Sequence, residues 1–133
     1  MLDTPLFFAK VQTDGSFRKS LPRARIAVLM TDKIGMQFSE MTPIFAIDST
    51  ETEWASVAAG LRFAIDHGEE TIALENDNLG VFHGLIDPRN SLRNEYARYY
   101  RNEIQKLANK TAWTGVRWIQ REINEADRLF RTP

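Results

Sequence analysis

The chain has no cysteine and only two histidines in 133 residues. The first absence excludes a disulfide framework, a thiolate zinc site and a cysteine nucleophile. Two histidines cannot by themselves build a histidine-rich metal site. Any metal must therefore be held by oxygen ligands, which suits hard cations such as Mg²⁺ or Mn²⁺. Long hydrophobic runs are missing as well. Nothing approaches the ~18 consecutive apolar residues that a membrane span needs. Met1 to Lys10 has no basic stretch followed by an apolar one, so no signal peptide is expected and the expected compartment is the cytoplasm. With seven glycines and five prolines there is no linker-like tract, internal repeat or low-complexity segment. Net charge is nearly absent too, at −1, but the mean conceals a split. Residues 1–87 carry seven Lys/Arg against thirteen Asp/Glu, a net of −6; residues 88–133 carry ten against five, a net of +5. Uneven surface charge can arise by chance. It also suits a site where acidic residues meet a polyanion gripped from the basic side.

What is present is ordinary globular composition, 43% hydrophobic and 26% charged, enough for one domain over residues 1–133. Leu6 to Thr13 is apolar and then alternates, ending at the turn-prone Asp14-Gly15. Arg25–Met30 and a weaker run from Met36 to Ile47 predict two more strands, with Pro43 placing the last at an edge or bulge. Trp54, Val57, Ala58, Leu61 and Ile65 then recur at helical spacing over Thr52–His67, with Gly68 as the stop. Thr71–Leu74 predicts a buried strand. Leu79–Ile86 predicts a short helix ended before Pro88, and Ser91–Lys110 a longer one with Leu92, Tyr96, Tyr99, Tyr100, Ile104 and Leu107 on one face. Val116–Ile119 predicts a last strand and Asn124–Arg131 a last helix. The order β-β-β-α-β-α-α-β-α implies a mixed α/β fold. Its five-stranded sheet has three antiparallel and then two parallel strands, with helices packed on it.

Four acids stand at ends of these elements, and each has an ordinary structural explanation. Asp14 sits in a dipeptide suited to a hairpin turn. Thr50-x-x-Glu53 has the form of a capping box, although Val57, one turn on, turns Glu53 toward the sheet. Asp77 suits a helix N-cap or an Asx-turn, and also the ligand-binding edge of an open sheet. Asp127 suits the solvated side of an amphipathic helix. Taken together, this topology can bring all four to one sheet edge. Such a cluster is costly without cations, and two divalent ions ~4 Å apart would balance it and make a phosphoryl-transfer site.

Four segments in order carry a resemblance. They are Thr13-Asp14-Gly15-Ser16, Glu53-x-x-x-x-Ala58-x-x-Leu61, Asp77-Asn78-x-x-Val81 and Trp118-Ile119-x-Arg121-Glu122-x-Asn124-x-Ala126-Asp127-x-Leu129. From about Leu6 to Arg131 the chain resembles the type 1 ribonuclease H family. The resemblance implies a ribonuclease-H-like fold and a two-metal endonuclease, dependent on Mg²⁺ or Mn²⁺, that cuts the RNA strand of RNA–DNA hybrids. It implies that Asp14 bridges both ions, that Glu53 and Asp77 complete one ion's shell, and that Asp127 helps hold the ion that activates water. It makes Ser16, Arg18, Lys19, Ser49, Thr50, Asn78 and Arg121 the expected nucleic-acid contacts. The chain departs from the family in places. Phe17 to Arg23 contains no glycine where the family has a glycine-rich stretch. Ser49 and Thr50 replace paired asparagines. No histidine stands before the last acid, and neither His67 nor His83 can replace it by position. The alternatives are a catalytically weak or inactive nucleic-acid-binding or protein-interaction module of this fold, and a nuclease for double-stranded RNA or DNA. Arg98 and Arg101 offer a basic handle or a solvated face. Trp113 and Trp118 offer stacking platforms or core.

Overall fold

The computed structural model describes residues 5–18, 23–87 and 94–131. Three strands open it: β1 (Ala9–Arg18), β2 (Arg23–Thr31) and β3 (Gln37–Ile44). Helix α1 (Ser49–Asp66), strand β4 (Thr71–Asn76), helices α2 (Leu79–Ile86) and α3 (Glu95–Ala108) and strand β5 (Trp113–Trp118) follow. Two short 3₁₀ segments, Arg121–Ile123 and Glu125–Arg131, close the described chain. The strand order is β3-β2-β1-β4-β5. β1 pairs antiparallel with β2 and parallel with β4, and β5 joins β4 in parallel. This is the mixed sheet that the element order implies, with β3, which contains Pro43, on an edge.

The Asp14-Gly15 turn is not there. β1 runs straight through both residues, with Asp14 opposite Ala27 and Gly15 opposite Ile26. Among the described residues positive φ occurs only at Gly35 and Gly68, the latter just beyond α1 as expected. Gly15 is small for another reason. A Cβ there would lie 2.8 Å from Thr52 Cγ2 and 3.0 Å from Glu53 Oε1, so the glycine lets the start of α1 press onto β1. Gly60, two turns further on, does the same from the helix side, since its Cβ would sit 2.4 Å from Thr13 Cγ2. Between these close approaches Val57 and Leu61 of α1 enter a core with Val11, Val28, Met30, Ile72 and Leu74.

Four further expectations shift. The cap of α1 is Asp48, whose side chain accepts from the Glu51 N–H at 2.8 Å, while Glu51 reaches back to the Ile47 N–H at 2.7 Å. The capping box is thus Asp48-x-x-Glu51, and Thr50 lies inside the helix. The last segment is 3₁₀ rather than α, and side chains elsewhere in the fold take over its anchoring. On α3 the buried face is Ala97, Ile104 and Leu107; Tyr99 is exposed. Trp118 lies at the surface with its indole N–H donating to the Asp77 carbonyl at 3.0 Å, and Trp113 is half-buried against Phe8. Lys19 and the expected boundaries at Pro88 and Ser91 lie outside the described residues.

Gly60→Ala should destabilise the fold by about 1–3 kcal/mol, because overpacking outweighs the ~1 kcal/mol helix-propensity gain of alanine. Urea unfolding of both proteins checks this. A more stable variant would mean that α1 does not press on β1 at this point.

Candidate metal centre and nucleic-acid interface

The positions of the acids follow from strand alternation and from the sheet order. On β1, Val11 and Thr13 face α1, so Asp14 would turn away from it in a regular strand. Its carboxylate nonetheless reaches the end of the sheet where the first turns of α1 and the exit of β4 come up to β1. Carboxylate oxygens of Asp14, Glu53 and Asp77 all lie within 4.8 Å of one another. Asp14 and Glu53 are buried and Asp77 is half-buried. Asp127 stands at the flank. Its charge acts on Asp14 and Asp77, while its Oδ2 accepts from the Arg131 guanidinium at 2.7 Å.

Neutral donors hold the group in place. The Gly15 N–H donates to Asp14 Oδ1 at 3.0 Å and to Glu53 Oε1 at 2.9 Å. Asn76 Nδ2 donates to the Thr13 carbonyl at 3.1 Å and the Thr13 hydroxyl at 3.0 Å, and reaches Glu53 Oε2 at 3.4 Å. Asn124 Nδ2 donates to the Thr13 carbonyl at 2.9 Å and to Asp77 Oδ2 at 3.2 Å. None of these donors brings a full positive charge. The Arg121 guanidinium is the cation that acts on Asp77.

The electrostatics follow. Burial, and after it the charges of Glu53 and Asp77, push the Asp14 carboxyl up to about 9. Glu53 is raised by burial, opposed by the Gly15 N–H and by a hydrogen bond from Asp14. Asp77 is raised by burial, opposed by Asn124 and then by Arg121. Without a cation, Asp14 therefore keeps its proton at neutral pH and shares it with its neighbours. An all-carboxylate oxygen set that keeps a proton for want of positive charge fits a hard divalent cation.

The remaining predicted contacts scatter around this centre. Ser16 is half-buried on β1 opposite Arg25, and Arg18 is exposed at the end of that strand. Ser49 and Thr50 are exposed in the first turn of α1. Asn78 is the N-cap of α2, its Oδ1 accepting from the Val81 N–H at 2.9 Å. Arg121 lines a cavity of about 370 Å³ beside the acids, with Glu122, Asn124, Asp127, Arg128 and Arg131. His67 closes the end of α1 against Phe63, and His83 is exposed on α2. Sequence reasoning overlooked Asn76 as a holder of Glu53 and Asn124 as a tie between β1 and Asp77. The alternation Ile72, Leu74, Asn76 on β4 was the available signal for the first, because it carries an amide onto the buried face.

The profile of the Reverse transcriptase-like family matches residues 12–129. No curated protein matches the sequence. Among solved structures, RNase H1 of the halophilic archaeon Halobacterium salinarum superposes with a TM-score of 0.83 at 21% identity, over 91% of this chain and 92% of that one. The N-terminal RNase H domain of a Mycobacterium tuberculosis protein gives 0.82 at 20% identity, over 92% and 90%. LC11-RNase H1 in complex with an RNA/DNA hybrid gives 0.78 at 17% identity, over 91% and 92%.

The raised carboxyls set a pH dependence. A group with a folded-state pKa above its unfolded value stabilises fully below the unfolded pKa and loses that contribution as pH rises through the folded one. For Asp14 the window runs from 3.8 up to about 9. The thermal midpoint of chelator-treated protein should therefore fall as pH climbs from 5 to 9, and Asp14→Asn should flatten the slope and raise the midpoint at the alkaline end. Differential scanning calorimetry across that range checks both. Parallel profiles for the two proteins would contradict the assignment.

Proposed function

Because the chain belongs to the Reverse transcriptase-like family, within the ribonuclease-H-like superfamily, we propose that it is a metal-dependent endonuclease that hydrolyses the RNA strand of RNA–DNA hybrids. The observation that carries this reading is the group Asp14, Glu53 and Asp77, three carboxylates within 4.8 Å at one sheet edge, with Asp127 beside it. The complex of LC11-RNase H1 with an RNA/DNA hybrid, on the same fold, supports the choice of substrate.

Two bound ions, Mg²⁺ or Mn²⁺, would supply activation of the attacking water and neutralisation of the leaving 3′-oxygen. The chain's own residues prepare for this. Asp14, Glu53 and Asp77, whose carboxylate oxygens lie within 4.8 Å of one another, would hold the ions, with Asp14 as the ligand common to both and Asp127 as a further ligand. Because the Asp14 carboxyl is raised, ion binding there would be coupled to release of its proton and would strengthen as pH rises. Asn76 and Asn124 keep the carboxylates aimed while they change charge. Arg121, with Arg128 and Arg131 around the adjoining cavity, offers guanidinium forks to backbone phosphates. Arg18, Lys19, Ser16, Ser49, Thr50 and Asn78 belong to the wider proposed contact surface. Without the glycine-rich stretch, basic side chains rather than close backbone approach grip that strand.

Glu53→Gln separates ligand from scaffold. Glutamine keeps an acceptor for the Gly15 N–H, so stability should change by less than about 1 kcal/mol. As a neutral amide it attracts a divalent ion poorly, so cleavage of a labelled hybrid in Mg²⁺ should fall by orders of magnitude. Wild-type cleavage by a folded Glu53→Gln protein would overturn the proposal. Arg121→Ala should raise KM with little change in kcat, and should lower the salt dependence of hybrid binding by roughly one counterion. Binding measured across a salt series checks it.

A further inference from the structure

Gln12 lies on β1 two residues before Asp14, is 4% exposed, and has no place in the carboxylate group. Its side chain makes three connections. Nε2 donates to Glu75 Oε1 at 3.0 Å and reaches the Ile123 carbonyl at 3.5 Å, and Oε1 accepts from the Glu125 N–H at 3.0 Å. Glu75 is the neighbour of Gln12 in the parallel β1–β4 register and is 5% exposed, its other oxygen paired with the Arg117 guanidinium. An ionised carboxylate only accepts, so Glu75 requires the NH₂ side of the Gln12 amide to face it. That leaves Oε1 aimed at the Glu125 N–H. The buried acid on β4 thereby sets the polarity of the clamp that β1 closes on the final segment.

That segment consists of two 3₁₀ stretches, Arg121–Ile123 and Glu125–Arg131, joined at Asn124, and it carries Asn124 and Asp127. The Asn124 side chain ties it to Thr13 and Asp77 from one side. Gln12 ties it from the other, on both sides of Asn124 in sequence, at Ile123 and Glu125.

We infer that Gln12, oriented by Glu75, is a positioning residue that fixes the segment bearing Asn124 and Asp127 against β1 and so sets how well Asp127 serves the metal centre. The consequence for metal rests on the function proposed above; the clamp itself does not. Amide hydrogen exchange of Gln12→Met, near wild type in volume but without the polar groups, tests the clamp. The amides of Asn124, Ala126 and Asp127 do not bond to Gln12, yet they should exchange at least about tenfold faster, the factor implied by losing one buried hydrogen bond. Those of Val11 and Leu74 should stay within about twofold, as expected for a local opening. Unchanged exchange at the three amides, or a uniform rise across the strands, would overturn the inference. If the methionine variant does not fold, Gln12→Asn, one methylene too short to span both partners, should give the same local rise.

A calorimetric Mn²⁺ titration then tests the route through Asp127. Gln12→Met should weaken binding by about tenfold, the low end of what loosening the support of a ligand costs. In an Asp127→Asn background the same change should have no further effect. An equal loss in both backgrounds would overturn the route. A wild-type protein that takes up no Mn²⁺ would refute the proposed function, whereas the exchange experiment would still decide the clamp.

Discussion

Asp14 is 7% exposed on the central strand, with two other carboxylates whose oxygens lie within 4.8 Å and a fourth acid, Asp127, beside the group. Ionising such a group without a counter-charge is unfavourable, and the rest of the fold is arranged to keep it together nonetheless. β1 is central because α1, β4 and the final 3₁₀ segment must all reach its exit. α1 can press down there because Gly15 and Gly60 leave space for Thr52 and Thr13. The core of Val11, Val57, Leu61, Ile72 and Leu74 draws the acid-bearing elements together and offsets the repulsion at their ends.

The side chains that hold the acids are mostly uncharged. Asn76 and Asn124 donate to the Thr13 carbonyl from either side and extend to Glu53 and Asp77 respectively. A lysine or arginine in either place would neutralise the cluster and compete with a cation. A neutral amide fixes geometry and leaves the charge unmet, which is the condition under which a divalent ion binds strongly. Positive charge is kept to the rim, at Arg121, Arg128 and Arg131, where a polyanion would meet it.

The hydrophobic periods made the element order legible, since alternation in β1 and β4 and helical spacing in α1 both reflect burial against one core. The acids were legible because each stands where an element ends or crosses the sheet. Local motifs misled. Asp14-Gly15 has turn chemistry, but the demand there is for space beneath α1, which only the packed structure reveals. Thr50-x-x-Glu53 imitates a capping box that Asp48 and Glu51 in fact supply, and this left Glu53 available to face the sheet. The final segment has helical spacing in its sequence, yet it is 3₁₀, and the groups that hold it lie 47 to 113 positions away. Gln12, Glu75 and Asn76 carry no local signal of their roles, for their partners are brought to them by strand pairing.

The central claim is that the fold gathers these carboxylates to hold divalent cations. Anomalous diffraction from crystals soaked in Mn²⁺ tests it most directly. The account predicts manganese peaks within coordination distance of Asp14 and shared with Glu53, Asp77 or Asp127, and their loss in Asp14→Asn crystals. Manganese bound only elsewhere on the surface, or a wild-type site that stays without a peak at saturating Mn²⁺, would contradict it.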